Sequence, residues 1–272
     1  MTIRQIIISI AAVALIAVLY NLPKYVVENE AEETAGQIMQ DSGNEPAVAH
    51  SDMDQTTALR TARALKEALT EENNKKNLIF ADSLAGIYLQ LGLVDSAAAL
   101  ASQLNELEAP LDQQITAGNI YYQAFNFAAS EENRTEYANR VREIFERVLA
   151  EDPDNYAVQT KVAMTYVAST APMRGILMLR DILEKDPDNE EVIYNLGVLS
   201  IQSGQYDKAI ERFEKLISLN PNNVEAHFYL ALSHYESGNV DEAKALFEKV
   251  KEMEDDPTVQ ATVDDYLKEI NS

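Results

Sequence analysis

A four-residue phrase built around proline returns at a fixed interval in the second half of this chain. It reads Asp-Pro-Asp-Asn at residues 152–155 and 186–189 and Asn-Pro-Asn-Asn at residues 220–223, so the prolines are 34 residues apart. A further Asp-Pro pair follows 36 residues later. Proline has no N–H to donate and keeps the residue before it out of helical angles, so a helix must end at each phrase. The Asp and Asn residues suit the cap of the helix that follows. The phrase therefore predicts pairs of helices repeated every 34 residues.

The side chains between the prolines repeat as well, and residues 190–223 carry the fullest pattern. Small residues at Gly197 and Ala209 predict a close approach of the two helices, and Gly204 is expected to end the first helix. Phe213 is expected to fill the gap toward the neighbouring unit. The equivalent positions are Leu230, Ala231, Gly238, Ala243, Phe247 and Val250 downstream, and Val162, Ala163, Tyr166, Gly175, Leu179 and Ile182 upstream.

This pattern resembles the tetratricopeptide repeat (TPR) family over roughly residues 77–272, most closely over residues 156–257. The resemblance implies an all-α fold, a TPR-type α-solenoid of helix-turn-helix repeats wound as a right-handed superhelix. We expect a helix over 55–75, repeats at 77–110, 111–155, 156–189, 190–223 and 224–257, and a capping helix over 258–272. The unit at 111–155 is about ten residues too long, and polar residues 130–134 are the expected place for the extra length.

Residues 1–25 are predicted to form an N-terminal transmembrane signal anchor. Residues 6–22 contain no charged side chain and would span roughly 26 Å as a helix, close to the ~30 Å hydrocarbon core. A cleaved signal peptide is the competing interpretation. The bulky residues at 20–25 offer no good cleavage site, which favours a retained anchor. The short N-terminal tail then favours a single-pass protein of the bacterial inner membrane with its large domain on the periplasmic side.

Residues 26–54 are predicted to be an acidic, flexible linker. Positions 28–54 hold eight acidic residues and neither Lys nor Arg, too polar to offset the entropy cost of ordering. The whole chain has 45 Asp and Glu against 22 Lys and Arg, a formal net charge of −23. We therefore expect no nucleic-acid partner, because such binding needs a basic stripe. The acidity could attract basic partner segments, or it could serve only to keep the chain soluble.

No catalytic arrangement stands out in the sequence. Cysteine is absent, and there is no Gly-x-Gly loop and no His-Glu-x-x-His motif. His227 and His234 share a predicted helix but are about 10 Å apart along its axis, which suits no single metal. We expect both to be structural or surface residues, and we expect no enzyme activity, metal or cofactor.

The resemblance to TPR proteins implies a partner-binding groove lined by the first helix of each repeat. The implied groove residues are Thr160, Met164, Val167, Tyr194, Val198, Ile201, Phe228, Leu232 and Tyr235. Their apolar character suggests capture of apolar or amphipathic segments, although several could instead pack against neighbouring helices. A carboxylate clamp known in some TPRs is incomplete, because Asn195 is present but Glu225 and Tyr229 stand where basic residues are expected.

Together these patterns favour a membrane-tethered TPR adaptor or scaffold that binds apolar or basic polypeptide segments through its concave groove. By analogy with single-span TPR proteins that accompany the translocon, its expected role is in secretion, folding or assembly of exported proteins. The alternative is a non-catalytic structural subunit of a fixed membrane complex.

Overall fold

In the computed structural model, the described residues are 55–69, 75–104 and 109–271, and all of their regular structure is α-helical. The predicted anchor at 1–25 and the predicted acidic linker at 26–54 lie outside them. The described helices are α1 (Gln55–Ala68), α2 (Lys75–Gln90), α3 (Val94–Leu104), α4 (Leu111–Phe127), α5 (Glu131–Glu151), α6 (Tyr156–Val167), α7 (Pro172–Lys185), α8 (Glu190–Gln202), α9 (Tyr206–Leu219), α10 (Val224–Ser237), α11 (Val240–Met253) and α12 (Pro257–Ile270).

Helices α2 to α12 all belong to one compact unit, residues 68–272. Within that unit each helix packs against the next along the chain. The first helices of successive pairs also touch, since α2 contacts α4, α6 contacts α8 and α8 contacts α10. These first helices are called the inner layer below. The unit is an α-solenoid of helical hairpins, as the 34-residue period predicted.

The repeated proline phrases form the turns between pairs, and asparagine caps the helix that follows each turn. Asn155, Asn189 and Asn223 each accept a hydrogen bond from the backbone N–H three residues later, at 3.2, 3.1 and 2.9 Å. The side-chain amide of Asn155 also donates to Asp152 Oδ2 at 3.0 Å, and Asn189 repeats this contact with Asp186 at 2.9 Å. The caps satisfy N–H groups that have no partner inside the helix.

The carbonyl of each turn proline is also satisfied by a side chain. Gln159 Nε2 donates to Pro153 O, and Lys215 Nζ donates to Pro187 O. In the last of these turns His227 Nε2 lies 3.0 Å from Pro221 O. His227 is 1 % exposed, and its Nδ1 has no hydrogen-bond partner among the described residues. The ring therefore carries its proton on Nε2, and burial lowers the pKa of His227. This is the structural role expected for it.

Glycines allow the paired helices to approach closely. A Cβ atom at Gly118 would lie 2.2 Å from Phe145 Cε1, and one at Gly197 would lie 2.7 Å from Phe213 Cζ. Gly204 ends α8 with a φ of 71°, a left-handed angle that glycine adopts without strain, which confirms the sequence prediction.

The long unit at 111–155 takes up its extra length as helix. Helices α4 and α5 have 17 and 21 residues, whereas α8 and α9 have 13 and 14. The sequence placed the extra length at residues 130–134. Instead, Ser130 caps α5 by accepting a hydrogen bond from Asn133 N at 3.1 Å, and residues 131–134 form its first turn. The additional turns are therefore shared between both helices.

Aromatic triads join the last repeats to one another. Phe213 of α9 stacks on Tyr229 of α10, with ring centroids 5.4 Å apart, and Tyr194 of α8 packs edge-on against Tyr229 at 5.5 Å. Phe247 of α11 stacks in the same way on Tyr266 of α12 at 4.9 Å. Helix α12 thus takes the place that the first helix of another repeat would occupy.

The preceding junction, between α7 and α8, has no such triad. Its equivalent residues, by the 34-residue spacing, are Thr160, Leu179 and Asn195. An aliphatic cluster that includes Leu179 and Leu196 fills this junction. Helices α7 and α8 also make less extensive contact than any other consecutive pair from α2 onward. Consecutive helices therefore touch least at this junction, where an ion pair of 3.1 Å between Lys215 and Asp188 adds to the aliphatic contacts.

Candidate functional site

The nine predicted groove residues all lie on three helices of the inner layer, α6, α8 and α10. Five of them are half-buried: Met164, Val167, Val198, Ile201 and Tyr235. Two of these also pack inside the repeats. Met164 lies against the aliphatic cluster at the α7–α8 junction, and Val167 Cγ2 would lie 2.7 Å from a Cβ atom at Gly175 of α7. The other four are buried: Thr160 is 1 % exposed, Tyr194 9 %, Phe228 4 % and Leu232 7 %. The buried four support the layer from within instead of lining its surface.

At α10 the protein's own C-terminal helix takes up the aromatic side chains. Phe228 packs edge-on against Phe247 and Tyr266, with centroids 5.7 and 6.0 Å apart. Tyr235 packs against the same Tyr266 ring at 5.6 Å. The α10 portion of the predicted groove is therefore committed to internal packing.

Helices α6 and α8 present the accessible apolar surface. Met164 and Val167 are half-buried on α6, and Val198 and Ile201 occupy the equivalent positions on α8. Helices α6 and α8 are in contact, so the four side chains belong to adjacent helices. We call these four residues the inner patch. A segment laid across it would remove water from apolar surface that the fold itself leaves partly exposed.

A polar cluster shares helices α6 and α8 with the inner patch and was not predicted from the sequence. Burial lowers the pKa of the Lys161 ammonium on α6, and the nearby Glu191 carboxylate on α8 partly opposes that shift. Burial also raises the pKa of Tyr122 on α4, with Glu191 adding to the effect. Glu191 therefore lies near both groups and links α4, α6 and α8 electrostatically. The signal available in the sequence was only that Glu191 is three residues before the predicted groove residue Tyr194.

An unsatisfied acceptor lies in the same layer. Asn119 occupies the position in α4 that Met164 occupies in α6 and Val198 in α8. Its side-chain oxygen is buried and accepts no hydrogen bond among the described residues. A buried acceptor of this kind costs free energy unless a donor reaches it.

The carboxylate-clamp positions are engaged in the fold itself. Asn195 is 6 % exposed and donates to the backbone oxygen of Glu191 at 2.9 Å. Tyr229 is 4 % exposed within its aromatic triad. No group of three or more His, Cys, Asp or Glu side chains within the described ranges could hold a metal ion. None of the helices described for this chain combines the length and the hydropathy required to cross a membrane.

Two family models for the tetratricopeptide repeat match this chain, at residues 178–211 and 200–263. The chain therefore contains tetratricopeptide repeats, as the 34-residue period indicated. No curated protein sequence matches it.

Solved structures of similar chains include two of MamA and one of YrrB. MamA AMB-1 is 29 % identical, with a TM-score of 0.44 over 64 % of this chain and 94 % of its own. MamA MSR-1 is 23 % identical, with a TM-score of 0.42 over 74 % and 97 %. YrrB, described as a TPR protein with an unusual peptide-binding site, is 18 % identical, with a TM-score of 0.43 over 73 % and 96 %.

Proposed function

We propose that this tetratricopeptide-repeat chain is a non-catalytic adaptor that holds segments of other polypeptides against its inner layer, at helices α6 and α8. The observation that carries the proposal is the inner patch, Met164, Val167, Val198 and Ile201. These four side chains stay partly exposed, whereas the remaining predicted groove residues are buried or pack against α12. TPR arrays bind partners through extended surfaces of this kind.

The chemistry of the surface favours an apolar or amphipathic segment. The inner patch offers apolar area. Glu191, on α8 with Val198 and Ile201, provides a negative charge near Lys161. A segment that places an apolar stripe on the patch and a basic residue near Glu191 matches these features best.

We further propose that the adaptor is tethered to the bacterial inner membrane through residues 3–22, with its repeats on the periplasmic side. The support is the uncharged run at 6–22, followed by a stretch with eight acidic residues and no basic ones. On this hypothesis the adaptor assists secretion, folding or assembly of exported proteins. Carbonate extraction of membranes tests the tether: the full chain should stay with the membrane fraction, and recovery in the soluble fraction would contradict it.

Site-specific crosslinking tests the inner patch. A photo-reactive amino acid at Val198 of the full-length, membrane-embedded chain should yield adducts with specific polypeptides. The same amino acid at Val240, an outer residue that is 39 % exposed, serves as the matched control. Changing Ile201 to Asp should remove the Val198 adducts, because it adds a charge to the apolar patch. Equal adducts at both positions, or none at Val198, would contradict the proposal.

A fixed structural subunit of a membrane complex is the second candidate function. It is favoured by the α10 portion of the inner layer, where Phe228 and Tyr235 already contact Tyr266 of the chain's own last helix. Solubilisation in mild detergent separates the two hypotheses. A subunit should co-purify with constant partners at fixed stoichiometry, whereas an adaptor should bring different polypeptides in variable amounts.

A further inference from the structure

Helix α7 exposes two large apolar side chains on its outer face. Met173 is 57 % exposed and Leu177 is 52 % exposed, and they lie one helical turn apart. Gly175 lies between them in sequence but faces α6, since a Cβ atom at Gly175 would lie 2.3 Å from Ala163 O. Met173 and Leu177 therefore point away from the hairpin partner of α7.

The repeat itself shows that this outer face is unusual. By the 34-residue spacing, Met173 and Leu177 correspond to Asp207 and Glu211 in α9, and Arg180 corresponds to Glu214. In α11 the same three positions hold Asp241, Ala245 and Glu248. Helices α9 and α11 thus carry polar or small residues at these three positions. Of the three helices compared, only α7 carries apolar and basic residues there.

Helix α6 and the first turns of α7 carry no acidic side chain. Residues 156–180 contain no Asp or Glu and three basic residues, in a chain with 45 acidic residues, and Asp181 and Glu184 follow only in the last turns of α7. The guanidinium of Arg174 lies 4.0 Å from the centroid of the Tyr166 ring, and that of Arg142 in α5 lies 4.7 Å from it. Cation–π contacts of this kind hold guanidinium groups in place without neutralising them.

These arginines lack carboxylate partners within the part of the chain that the structure describes. None of Arg142, Arg174 and Arg180 forms an ion pair there, although other arginines of α5 do so with Glu131 and Glu143. In addition, Arg180 lies near enough to Arg212 of α9 for the two like charges to repel. These three guanidinium groups therefore form no ion pair among the described residues, although Arg142 donates a hydrogen bond to Asn139 Oδ1 at 2.7 Å.

We propose that this outer patch, formed by Met173, Leu177, Arg142, Arg174 and Arg180, binds an acidic amphipathic segment of another polypeptide. The apolar stripe of such a segment covers Met173 and Leu177, and its carboxylates meet the unpaired guanidinium groups. Methionine suits this task because its unbranched, polarisable side chain adapts to different apolar surfaces. The patch lies on a second helix of a pair, so it is separate from the inner patch.

The chemistry distinguishes this occupant from others. A basic segment would face three arginines that form no ion pair among the described residues. An anionic lipid surface would attract the arginines but would meet the excess of acidic residues on the rest of the chain, which carries 37 Asp and Glu against 20 Lys and Arg from Arg60 onward. A narrow acidic helix needs only the local patch. Charge complementarity therefore selects an acidic polypeptide segment.

Binding of synthetic peptides to the purified full-length chain tests the proposal. Two fluorescent helical peptides of about 16 residues share one Leu stripe at helical spacing and differ only in flanking Glu or flanking Lys. Fluorescence anisotropy should show the Glu peptide bound at least about tenfold more tightly than the Lys peptide, with affinity falling as salt is raised. Equal binding of the two peptides, or stronger binding of the Lys peptide, would overturn the proposal.

The repeat supplies variants that should fold. Met173→Asp with Leu177→Glu, and separately Arg180→Glu, copy side chains that α9 carries at the same positions. Each change should weaken binding of the Glu peptide by about tenfold or more, while far-UV circular dichroism and the thermal midpoint stay close to the parent. The matched control, Asp207→Ala with Glu211→Ala, should leave binding unchanged. Unaltered binding in the α7 variants would overturn the proposal.

Three further outcomes identify the wrong occupant or the wrong site. Sedimentation with phosphatidylserine vesicles that is lost in the α7 variants, without binding of the Glu peptide, would assign the patch to lipid. An unlabelled Glu peptide and a synthetic peptide of residues 26–54 are compared as competitors of the fluorescent Glu peptide. If the 26–54 peptide displaces it at the lower concentration, the patch belongs to the chain's own acidic segment. Loss of Glu-peptide binding in Ile201→Asp would place that binding on the inner patch. Each of these results overturns the proposal, and none of them depends on whether the adaptor function holds.

Discussion

Tyr266 fixes the last helix to the repeats, and its removal offers the sharpest test of how the array ends. The ring is 8 % exposed. It stacks on Phe247 at a centroid distance of 4.9 Å, with an interplanar angle of 9°, and packs edge-on against Phe228 and Tyr235 at 6.0 and 5.6 Å. Helix α12 thus joins α10 and α11 through one ring that makes three aromatic contacts.

The cost of Tyr266→Ala follows from these contacts. Truncating a buried aromatic residue to Ala costs about 3–5 kcal/mol, and each aromatic pair contributes about 0.5–1.5 kcal/mol beyond its buried area. We expect a loss of about 3–4 kcal/mol in the free energy of docking α12, because some of the freed space can relax at the end of the array. Since each repeat contacts only its neighbours, the loss should appear first in α12 and α11.

Hydrogen exchange followed by mass spectrometry measures this loss where it occurs. Protection should fall in α12 and α11 of Tyr266→Ala and remain unchanged in α2 and α3. The urea unfolding transition should no longer extend to the highest urea concentrations at which the parent unfolds. The control Tyr266→Phe keeps the ring and should cost less than about 1 kcal/mol. A cost for Tyr266→Ala below about 1 kcal/mol, or an equal loss of protection in α2, would refute the inference that this ring docks the helix.

Three further changes test the local interactions that define the repeats. Gly118→Ala should destabilise the fold by about 1–3 kcal/mol in urea unfolding, because its Cβ would lie 2.2 Å from the Phe145 ring. Asn189→Ala should cost about 1 kcal/mol in the same measurement through loss of the cap on α8. His227→Gln should make stability less sensitive to acid. Burial lowers the pKa of His227 in the folded chain, so the unfolded chain binds the proton more tightly. The stability of the parent is therefore retained above pH ~6.5, the ordinary pKa of histidine, and is lost as the pH falls from there toward the lower pKa of the folded chain.

The chain contains a matched control for each of these changes. Beyond the adjacent residues and the backbone of its own helix, no heavy atom lies within 4 Å of the place that a Cβ at Gly86 would occupy, so Gly86→Ala should stabilise α2 by about 0.5–1 kcal/mol. Asn222→Ala alters a proline turn without removing a cap and should be nearly neutral. His227→Gln should keep a donor to the proline carbonyl, because Gln159 makes the equivalent contact with Pro153 O in an earlier turn. An unchanged slope of unfolding free energy across about two pH units below pH ~7.5 would count against the histidine argument.

The turn chemistry explains why the repeats could be predicted. Each proline phrase specifies a helix end, and its Asn supplies the cap of the next helix, so local residues alone determine the boundary at Asn155, Asn189 and Asn223. Gly204 likewise marks a left-handed turn that few other residues adopt. The extra length of the unit at 111–155 was harder to place, because added helical turns keep the helical period and leave no break in the sequence.

The candidate site could be predicted only in part. A repeat register assigns Tyr194 and Phe228 to the inner face, but it does not say which partner each ring finds. Burial of these rings depends on Tyr229 and Tyr266, which come 35 and 38 residues later. The polar neighbours Lys161 and Glu191 come together only through the packing of α6 against α8. Tertiary contacts thus decided which groove residues remain accessible.

The junction at Thr160, Leu179 and Asn195 has a mechanical consequence. When the helices of an array are in unequal contact, bending concentrates at the interface with the least contact, because that interface resists deformation least. Rotation of α6 and α7 against α8 and α9 would change the separation of Met164 and Val198, which stand on opposite sides of the pivot. A bound segment that contacts both residues would restrict this rotation, so its binding should increase the rigidity of the whole array.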